Sequence, residues 1–301
     1  MPIVERKSVL SGLTVLDAMR RIAAQLPKDA PIEEAAKTVI KFRVNSLLIT
    51  DEKHEPVGVV SKTNIMGGYY AGIPIETPLE AIMMPSPLFC EPGDTLESAL
   101  DLMRTHNVHR LFVKESAPDQ VVGVLAYYDI CGLLYRYCHK CERNILRTRE
   151  ADSEGFLAEP FHVYEVMTPS VFVNHENESL MEVMEGLEAN NVGAVLIIDE
   201  NGLPAGVVSK TDLIIAYKHG ISAEVPAKTI MSTPVRSCDE REHLVLAIQR
   251  MIFADVQRLF VHKEDPGKIV GVLSLSDAAR TRSGSCRACI SSRIEVENAP
   301  D

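Results

Sequence analysis

The strongest constraint on the fold is an internal repetition that runs through the chain without a net insertion. An offset of 148 residues places Met19 on Met167 and brings many other residues of the two halves into the same register. Each half is itself doubled, because a phrase of the form Gly-hydrophobic-hydrophobic-Ser-x-x-Asp returns, with departures, at residues 58–64, 123–129, 206–212 and 271–277. Tandem copies of this kind indicate a repeat architecture. The chain is therefore predicted to consist of four copies of one small unit.

The third copy shows the pattern of the unit most clearly. A short apolar run at 171–173 precedes residues 180–187, whose apolar side chains recur at helical spacing. Apolar segments at 192–199 and 205–208 flank a turn and predict a hairpin, and a second helix follows that stops at Gly220. The order of strand, helix, strand, strand and helix predicts an α/β fold. Because two helices cannot cover all the apolar strands, we expect the copies to pack in pairs, sheet against sheet.

Composition narrows the class of protein. The 301 residues carry a formal net charge of -11, which disfavours binding to the phosphate backbone of nucleic acids. No apolar run reaches the length of about 18 residues that a membrane helix needs, and no apolar signal core follows the first methionine. We therefore expect a cytoplasmic protein without membrane insertion. Since none of the common nucleophile, phosphate-loop or dinucleotide motifs is present, we expect no enzyme activity.

Three features together resemble a known domain family. The recurring phrase precedes a helix, Arg-Leu-Phe-Val stands ahead of it at 110–113 and 258–261, and Ile-Met or Val-Met lies near a proline where copies start. This combination resembles the cystathionine-β-synthase (CBS) domain. The resemblance implies CBS domains at 13–72, 78–136, 161–220 and 225–283, with a linker at 137–160 and a tail at 284–301. Two such domains form a Bateman module, and two modules in one chain are similar in layout to the γ subunit of AMP-activated protein kinase, a pseudo-symmetric disc.

The start of the last helix in each copy is the predicted ligand site. A helix N-terminus presents unpaired backbone amides and a partial positive charge, which suit a phosphate. The resemblance implies that the Ser and Asp of the phrase bind phosphate and ribose, here Ser209, Asp212, Ser274 and Asp277. The alternative is a capping box, in which both side chains satisfy amides of their own helix. The implied ligand is an adenine nucleotide (AMP, ADP or ATP), and S-adenosylmethionine stays open because a ribose clamp does not read phosphates.

The first half departs from this pattern at two positions. Asn64 stands where an Asp is expected after Ser61, and Ala126 stands where a Ser is expected before Asp129. Losing a charge-assisted hydrogen bond weakens binding by about ten- to a hundredfold. Ligand binding is therefore predicted chiefly in the second half, with Ser61, Asn64 and Asp129 as the weaker candidates.

Two pairs of basic residues recur in register near these sites. Arg110 and Arg258 lie on apolar strands, where a buried guanidinium needs an anion, either a nucleotide phosphate or an internal carboxylate. Lys62 and Lys210 directly follow the serine of the phrase and could reach a phosphate. Because surface lysines are common, however, we expect these two lysines to lie on the protein surface.

Two Cys-x-x-Cys pairs also recur in register, at Cys138 and Cys141 and at Cys286 and Cys289. Four thiolates at symmetry-related positions could close a tetrahedral site, with zinc as the first candidate and an iron–sulfur cluster as the second. A redox dithiol pair and a remnant of the duplication are the alternatives. The odd total of seven cysteines in a chain without an export signal favours reduced thiols or metal ligands over disulfides.

Three hypotheses for function follow. The first is a regulatory protein in which an adenine nucleotide, bound between paired CBS domains, changes the angle between the modules and is sensed by a regulated enzyme or transporter. The second is a metal- or redox-responsive switch that works through the cysteines. The third is an accessory subunit that acts by protein contact alone. Bateman modules often dimerise, so a homodimer is an alternative to a chain that satisfies its pairing internally.

Overall fold

The computed structural model describes residues 10, 12–116, 119–140 and 160–281, and it contains four units that share the order strand, helix, strand, strand and helix. Unit 1 comprises α1 (Val15–Ala18), β1 (Gln25–Pro27), α2 (Ile32–Lys41), β2 (Ser46–Thr50), β3 (Pro56–Ser61) and α3 (Lys62–Tyr70). Unit 2 comprises β4 (Met84–Pro85), β5 (Phe89–Cys90), α4 (Leu96–Thr105), β6 (Arg110–Ser116), β7 (Asp119–Ala126) and α5 (Tyr127–Lys140).

The second half repeats these elements. Unit 3 comprises β8 (Val173–His175), α6 (Leu180–Ala189), β9 (Ala194–Ile198), β10 (Pro204–Ser209) and α7 (Lys210–Lys218). Unit 4 comprises β11 (Ser237–Asp239), α8 (Leu244–Phe253), β12 (Arg258–Lys263), β13 (Asp265–Ser274) and α9 (Leu275–Arg280). Short 3-10 helices at Leu79–Ala81, Val163–Glu165 and Ala227–Thr229 precede units 2, 3 and 4. The predicted α/β unit of strand, helix, strand, strand and helix is confirmed. The first strand of unit 3, predicted at 171–173, lies at Val173–His175 because it pairs with β9 only from Val173 onward.

In the first long helix of every unit, the spacing of the apolar residues creates one buried face. Positions i, i+3, i+4 and i+7 are buried in each, which puts them on one face of the helix. These residues are Ile32, Ala35, Ala36 and Val39 in α2; Leu96, Ala99, Leu100 and Met103 in α4; Leu180, Val183, Met184 and Leu187 in α6; and Leu244, Ala247, Ile248 and Met251 in α8.

Each unit builds its sheet around the same hairpin. The first strand runs parallel to the middle strand, and the last strand runs antiparallel to it. In unit 2 this register sets Arg110 opposite Ala126, and in unit 4 it sets Arg258 opposite Ser274. The hairpin therefore brings each arginine beside the start of the closing helix.

The units pair by exchanging the segments that open them. Arg20, at the start of unit 1, bridges Val124 on the last strand of unit 2, and Met84 of unit 2 pairs in return with Val59 of unit 1. The second half repeats the exchange through the bridges Thr168↔Val272 and Ser232↔Val207. Units 1 and 2 therefore complete each other's sheets, as do units 3 and 4.

The exchange explains the glycine that begins each recurring phrase. A Cβ on Gly271 would lie 2.8 Å from the carbonyl oxygen of Thr168 and 2.8 Å from the Sδ atom of Met167. The equivalent atom on Gly206 would lie 2.8 Å from the Sδ atom of Met231. Only a residue without a side chain lets the exchanged segment come this close.

Apolar side chains join the units in a second way. One core combines units 1 and 3, where α3 packs against α7, and another combines units 2 and 4, where α5 packs against α9. A small cluster of Leu48, Phe112 and Val124 lies between the sheets of units 1 and 2. The first pair thus packs sheet against sheet as expected, whereas the two halves meet through their helices.

Polar contacts fix the seam between the halves. The rings of Tyr69 and Tyr217 stack with centroids 5.0 Å apart. Tyr69 donates its hydroxyl to the carbonyl of Ile221 at 2.7 Å, and Tyr217 donates in return to the carbonyl of Ile73. This reciprocity is what a pseudo-twofold axis between the halves requires. None of the helices in the described ranges is long and apolar enough to cross a membrane.

Candidate ligand sites at the starts of the closing helices

The Ser-x-x-Asp phrases of units 3 and 4 form capping boxes. Asp212 Oδ2 accepts hydrogen bonds from Ser209 Oγ at 2.6 Å and from Ser209 N at 2.8 Å, and Ser209 Oγ accepts from Asp212 N at 3.3 Å. Ser274 and Asp277 repeat this arrangement at 2.5, 2.9 and 3.2 Å. The capping alternative therefore describes the geometry correctly.

Capping leaves one oxygen of each carboxylate for another partner. Among the described residues, the hydrogen bond to Asp212 Oδ1 comes from Ser232 Oγ, at 3.1 Å. Asp277 Oδ1 accepts none from the residues that the structure describes. Because a carboxylate oxygen is a strong acceptor, this second oxygen can hold a ligand hydroxyl while the first keeps the helix capped. Capping and ligand binding are compatible at these two sites.

In the first half, the side chains of the two recurring phrases make different hydrogen bonds. Asn64 caps its helix by accepting from Ser61 Oγ at 2.6 Å through Oδ1, so its other polar atom is an amide nitrogen, which donates. Asp129 Oδ2 accepts from the backbone of Ala126 at 2.9 Å, and its Oδ1 accepts from Arg20 Nε at 2.6 Å. In the first half, neither phrase therefore offers a carboxylate oxygen without a partner. No signal in the sequence indicated this contact between Arg20 and Asp129.

Arg110 and Arg258 reach from one unit to its pair mate. Arg110 Nη1 donates to the carbonyl of Ser46 at 2.7 Å, while its buried Nε atom has no hydrogen-bond partner within the described residues. The guanidinium of Arg258 lies so close to Gly193 that a side chain there would collide with it. Neither arginine forms an ion pair with a carboxylate of the described residues, so no internal salt bridge is seen there.

The electrostatic surroundings of these arginines favour a bound anion. Burial lowers the pKa of Arg110 to about 10, and the charge of Asp129 only partly opposes this. Burial likewise lowers the pKa of Arg258 to about 10, with Asp277 opposing. Both depressions mean that the protein stabilises these cations less well than water does. An anionic ligand would supply the missing stabilisation.

Lys62 and Lys210 are partly buried between the halves, so the expectation of an ordinary surface position is wrong. Lys62 Nζ donates to Thr211 Oγ1 at 2.9 Å, and Lys210 Nζ donates to Thr63 Oγ1 at 2.8 Å, so each crosses to the other half. Burial lowers the pKa of both, to about 8 for Lys62, where the charges of neighbouring arginines add to the effect. The side chains are partly buried because the halves pack together, and their shared register was the signal for this in the sequence.

These four side chains form one group, which we call the central basic cluster: Lys62, Arg110, Lys210 and Arg258. The charges of Arg110 and Arg258 both lower the pKa of Lys62, and that of Arg258 lowers the pKa of Lys210. The pKa of nearby His109 is also lowered, first by burial and then by Arg280 and members of the cluster. The cluster is thus shared by both halves.

The predicted zinc site cannot be assigned from the fold. Cys141, Cys286 and Cys289 lie outside the described residues, as does the side chain of Cys138. Within the described ranges, no group of three or more His, Cys, Asp or Glu side chains could hold a metal ion. Zinc binding by the four cysteines therefore stays a prediction.

Four α/β units that exchange their opening segments in pairs, with a capping phrase at the start of each closing helix, define a tandem-repeat protein built from two modules. The family model described as "CBS domain" matches residues 14–70, 79–136, 163–219 and 227–284. The matched segments make up most of the chain, and the chain belongs to the CBS-domain family.

The fold of the whole chain is similar to that of MJ1225 from Methanocaldococcus jannaschii, which is described as a proposed archaeal homologue of γ-AMPK. The two structures agree with a TM-score of 0.73 at 16% identity, over 89% of this chain and 99% of that chain. This similarity confirms the expected layout of four CBS domains in two pairs.

Two further relatives match shorter parts of the chain. MK0525 from Methanopyrus kandleri is 29% identical over 117 residues, which span 38% of this chain and 59% of that protein. PAE2072 from Pyrobaculum aerophilum, a CBS-domain protein crystallised with AMP, is 24% identical and covers 39% of this chain and 89% of that chain, with a TM-score of 0.37.

Proposed function

We propose that the protein is a non-catalytic regulatory protein of the cytoplasm that binds adenine nucleotides between paired CBS domains, chiefly in the second half. The observation that carries the proposal is the central basic cluster. Lys210 and Arg258 lie at the starts of α7 and α9, whose carboxylates keep an oxygen that capping does not use, and Lys62 and Arg110 join them from the first half. A nucleotide has the complementary chemistry, because its ribose donates hydrogen bonds and its phosphates carry negative charge.

Each part of the site has a task in this proposal. Asp212 Oδ1 and Asp277 Oδ1 accept hydrogen bonds from ribose hydroxyls, while the opposite oxygens keep their helices capped. Arg110 and Arg258 contact phosphate oxygens; the unpaired Nε atom of Arg110 is one donor available for this. Ser209 and Ser274, whose hydroxyls already cap their helices, stand at the helix ends where the backbone amides favour an anion.

The seam between the halves supplies a route for regulation. A phosphate that draws Lys62 and Lys210 toward itself competes with their hydrogen bonds to Thr211 and Thr63, which hold the halves together. Ligand binding and the packing of the halves are therefore coupled if the two arrangements differ in affinity for the ligand. A regulated enzyme or transporter that contacts both halves would sense this change.

Native mass spectrometry of the full chain tests the proposal directly. We expect the mass of the chain to increase by that of one or a few bound nucleotides. The increase should be seen either in the protein as purified or after AMP, ADP or ATP is added. A bare polypeptide at saturating concentrations of all three nucleotides would contradict the proposal. A mass increase that matches S-adenosylmethionine alone would identify that compound as the ligand. A mass increase that matches a metal ion alone would favour the metal- or redox-responsive switch.

The pH dependence of binding should report Lys62. Its pKa near 8 means that the ammonium is partly deprotonated at mildly alkaline pH, and a nearby phosphate raises that pKa again. Nucleotide binding at pH 8 should therefore take up protons, and the affinity should fall by about three- to tenfold between pH 7 and pH 9.5. Calorimetric titration with AMP in two buffers of different ionisation enthalpy measures the uptake.

Two lysine variants separate this effect from general electrostatics. Lys62→Gln should abolish most of the proton uptake. Lys37→Gln, which removes a lysine paired with Glu33 on an exposed helix surface, should leave it unchanged. Equal uptake by the wild type and Lys62→Gln would contradict the placement of the phosphate at the cluster.

A further inference from the structure

The exchanged segments place one side chain from each unit at the start of its pair mate's closing helix. Arg20 bridges Val124 in the first half, and Thr168 bridges Val272 at the same register in the second half. From this position Arg20 Nε donates to Asp129 Oδ1, the carboxylate oxygen that capping leaves over. At the corresponding place in unit 3, Ser232 donates to the equivalent oxygen of its partner carboxylate.

Arg20 is held over the carboxylate by two contacts. Besides the hydrogen bond at 2.6 Å, its guanidinium lies 5.1 Å from the centroid of the Tyr128 ring. The side chain of Asp129 is 6% exposed and that of Arg20 is 46% exposed, so the arginine covers the carboxylate from the solvent side. An arginine that forms a charge-assisted hydrogen bond to a buried carboxylate competes strongly with any neutral donor for that carboxylate.

A cavity of about 280 Å³ opens beside the ion pair between α1 and α5, with Asp17, Asp129 and Arg136 in its wall. Besides Ala126 in place of Ser274, this site differs from that of unit 4 in the side chain that reaches the carboxylate. Thr168 is exposed, short and uncharged, and it makes no hydrogen bond to Asp277 within the described residues.

We propose that Arg20 is an internal occupant of the unit 2 site and that the residue at this register, Arg20 or Thr168, determines whether a ribose ligand can bind. A ribose hydroxyl is a neutral donor and cannot readily replace the guanidinium on Asp129. In unit 4, Thr168 leaves the carboxylate oxygen of Asp277 open to the same hydroxyl. The inference rests on the proposed function and deepens it by naming a specificity-determining residue.

Exchanging the two side chains in the full chain tests this inference, with AMP as the probe in calorimetric titration. Thr168→Arg should weaken AMP binding at the unit 4 site by tenfold or more, because the new guanidinium reaches Asp277. Arg20→Thr should add one AMP per chain, and the additional Asp129→Asn change should remove it again. Arg21→Thr replaces the exposed neighbouring arginine and should change neither affinity nor stoichiometry. Thermal melting followed by circular dichroism establishes that each variant is folded.

The possible outcomes distinguish the two proposals. Wild-type affinity in a folded Thr168→Arg chain would overturn the role of this residue and leave the nucleotide proposal in place. An Arg20→Thr chain with unchanged stoichiometry would also overturn it, because Ala126 would then be what closes the site. If neither the wild type nor Arg20→Thr binds AMP, both proposals fail together. Arg20→Thr removes the ion pair with Asp129 but no side chain of the apolar cores, so this arm of the test does not depend on the folding of Thr168→Arg.

Discussion

Alanine at both Asp212 and Asp277 should weaken AMP binding in the second half by about ten- to a hundredfold at each site. Each carboxylate has one oxygen that capping does not use, and a hydrogen bond to a charged acceptor contributes about 1.5–3 kcal/mol. Calorimetric titration of the wild type, the two single variants and the double variant measures the loss. The single variants should each remove one tight site, and the double variant should remove both.

The capping role of these aspartates requires its own control, because losing a cap costs about 1 kcal/mol of stability. Ser179 and Glu182 provide a matched one, since they form the same capping box at the start of α6 with bonds of 2.7, 2.9 and 3.3 Å. Glu182→Ala should lower the melting temperature about as much as Asp212→Ala without a change in AMP affinity. Undiminished AMP binding by the double variant would refute the ribose role of both carboxylates.

Alanine in place of Gly271 should destabilise the fold by about 1–3 kcal/mol, the usual cost of forcing extra atoms into a packed interior. Its Cβ would press on the carbonyl of Thr168 and the sulfur of Met167, and the backbone carbonyl cannot rotate away. Because these atoms belong to the segment that unit 3 lends to unit 4, the damage falls on the pairing of the two units. Urea denaturation followed by circular dichroism measures the free energy of unfolding.

Gly67 is the matched control for this substitution. It lies in α3, and a Cβ built on it meets nothing within 4 Å. Gly67→Ala should be neutral or stabilise the protein by up to about 1 kcal/mol, because alanine is the better helix former. Equal stability of Gly271→Ala and the wild type would mean that the exchanged segment is not bound as described.

The elements of each unit could be predicted because their signals are local. The spacing of Leu180, Val183, Met184 and Leu187 is enough to predict a helix face, and the turn between apolar runs is enough to predict a hairpin. The register of the halves likewise indicated which positions are equivalent. The candidate residues Ser209, Asp212, Ser274 and Asp277 all lie at helix starts for the same reason.

The contacts that give the sites their character could not be predicted because they join distant parts of the chain. Lys62 and Thr211 belong to different halves, and nothing in the sequence near either residue indicates that packing will bury the lysine. Arg20 and Asp129 are separated by 109 positions, and only the exchange of opening segments brings them together. The glycine of the recurring phrase was visible, but its reason lies in the backbone of another unit.

The exchange of opening segments also constrains the history of a chain like this one. A lone unit would present a sheet whose last strand lacks the segment that its mate supplies, and its own opening segment would have no strand to join. An ancestor with one unit would therefore have needed a second copy of itself to complete both sheets. Duplication within one chain supplied that copy permanently, and the later duplication with its offset of 148 residues copied a finished pair. Growth of such proteins should accordingly proceed by even numbers of units.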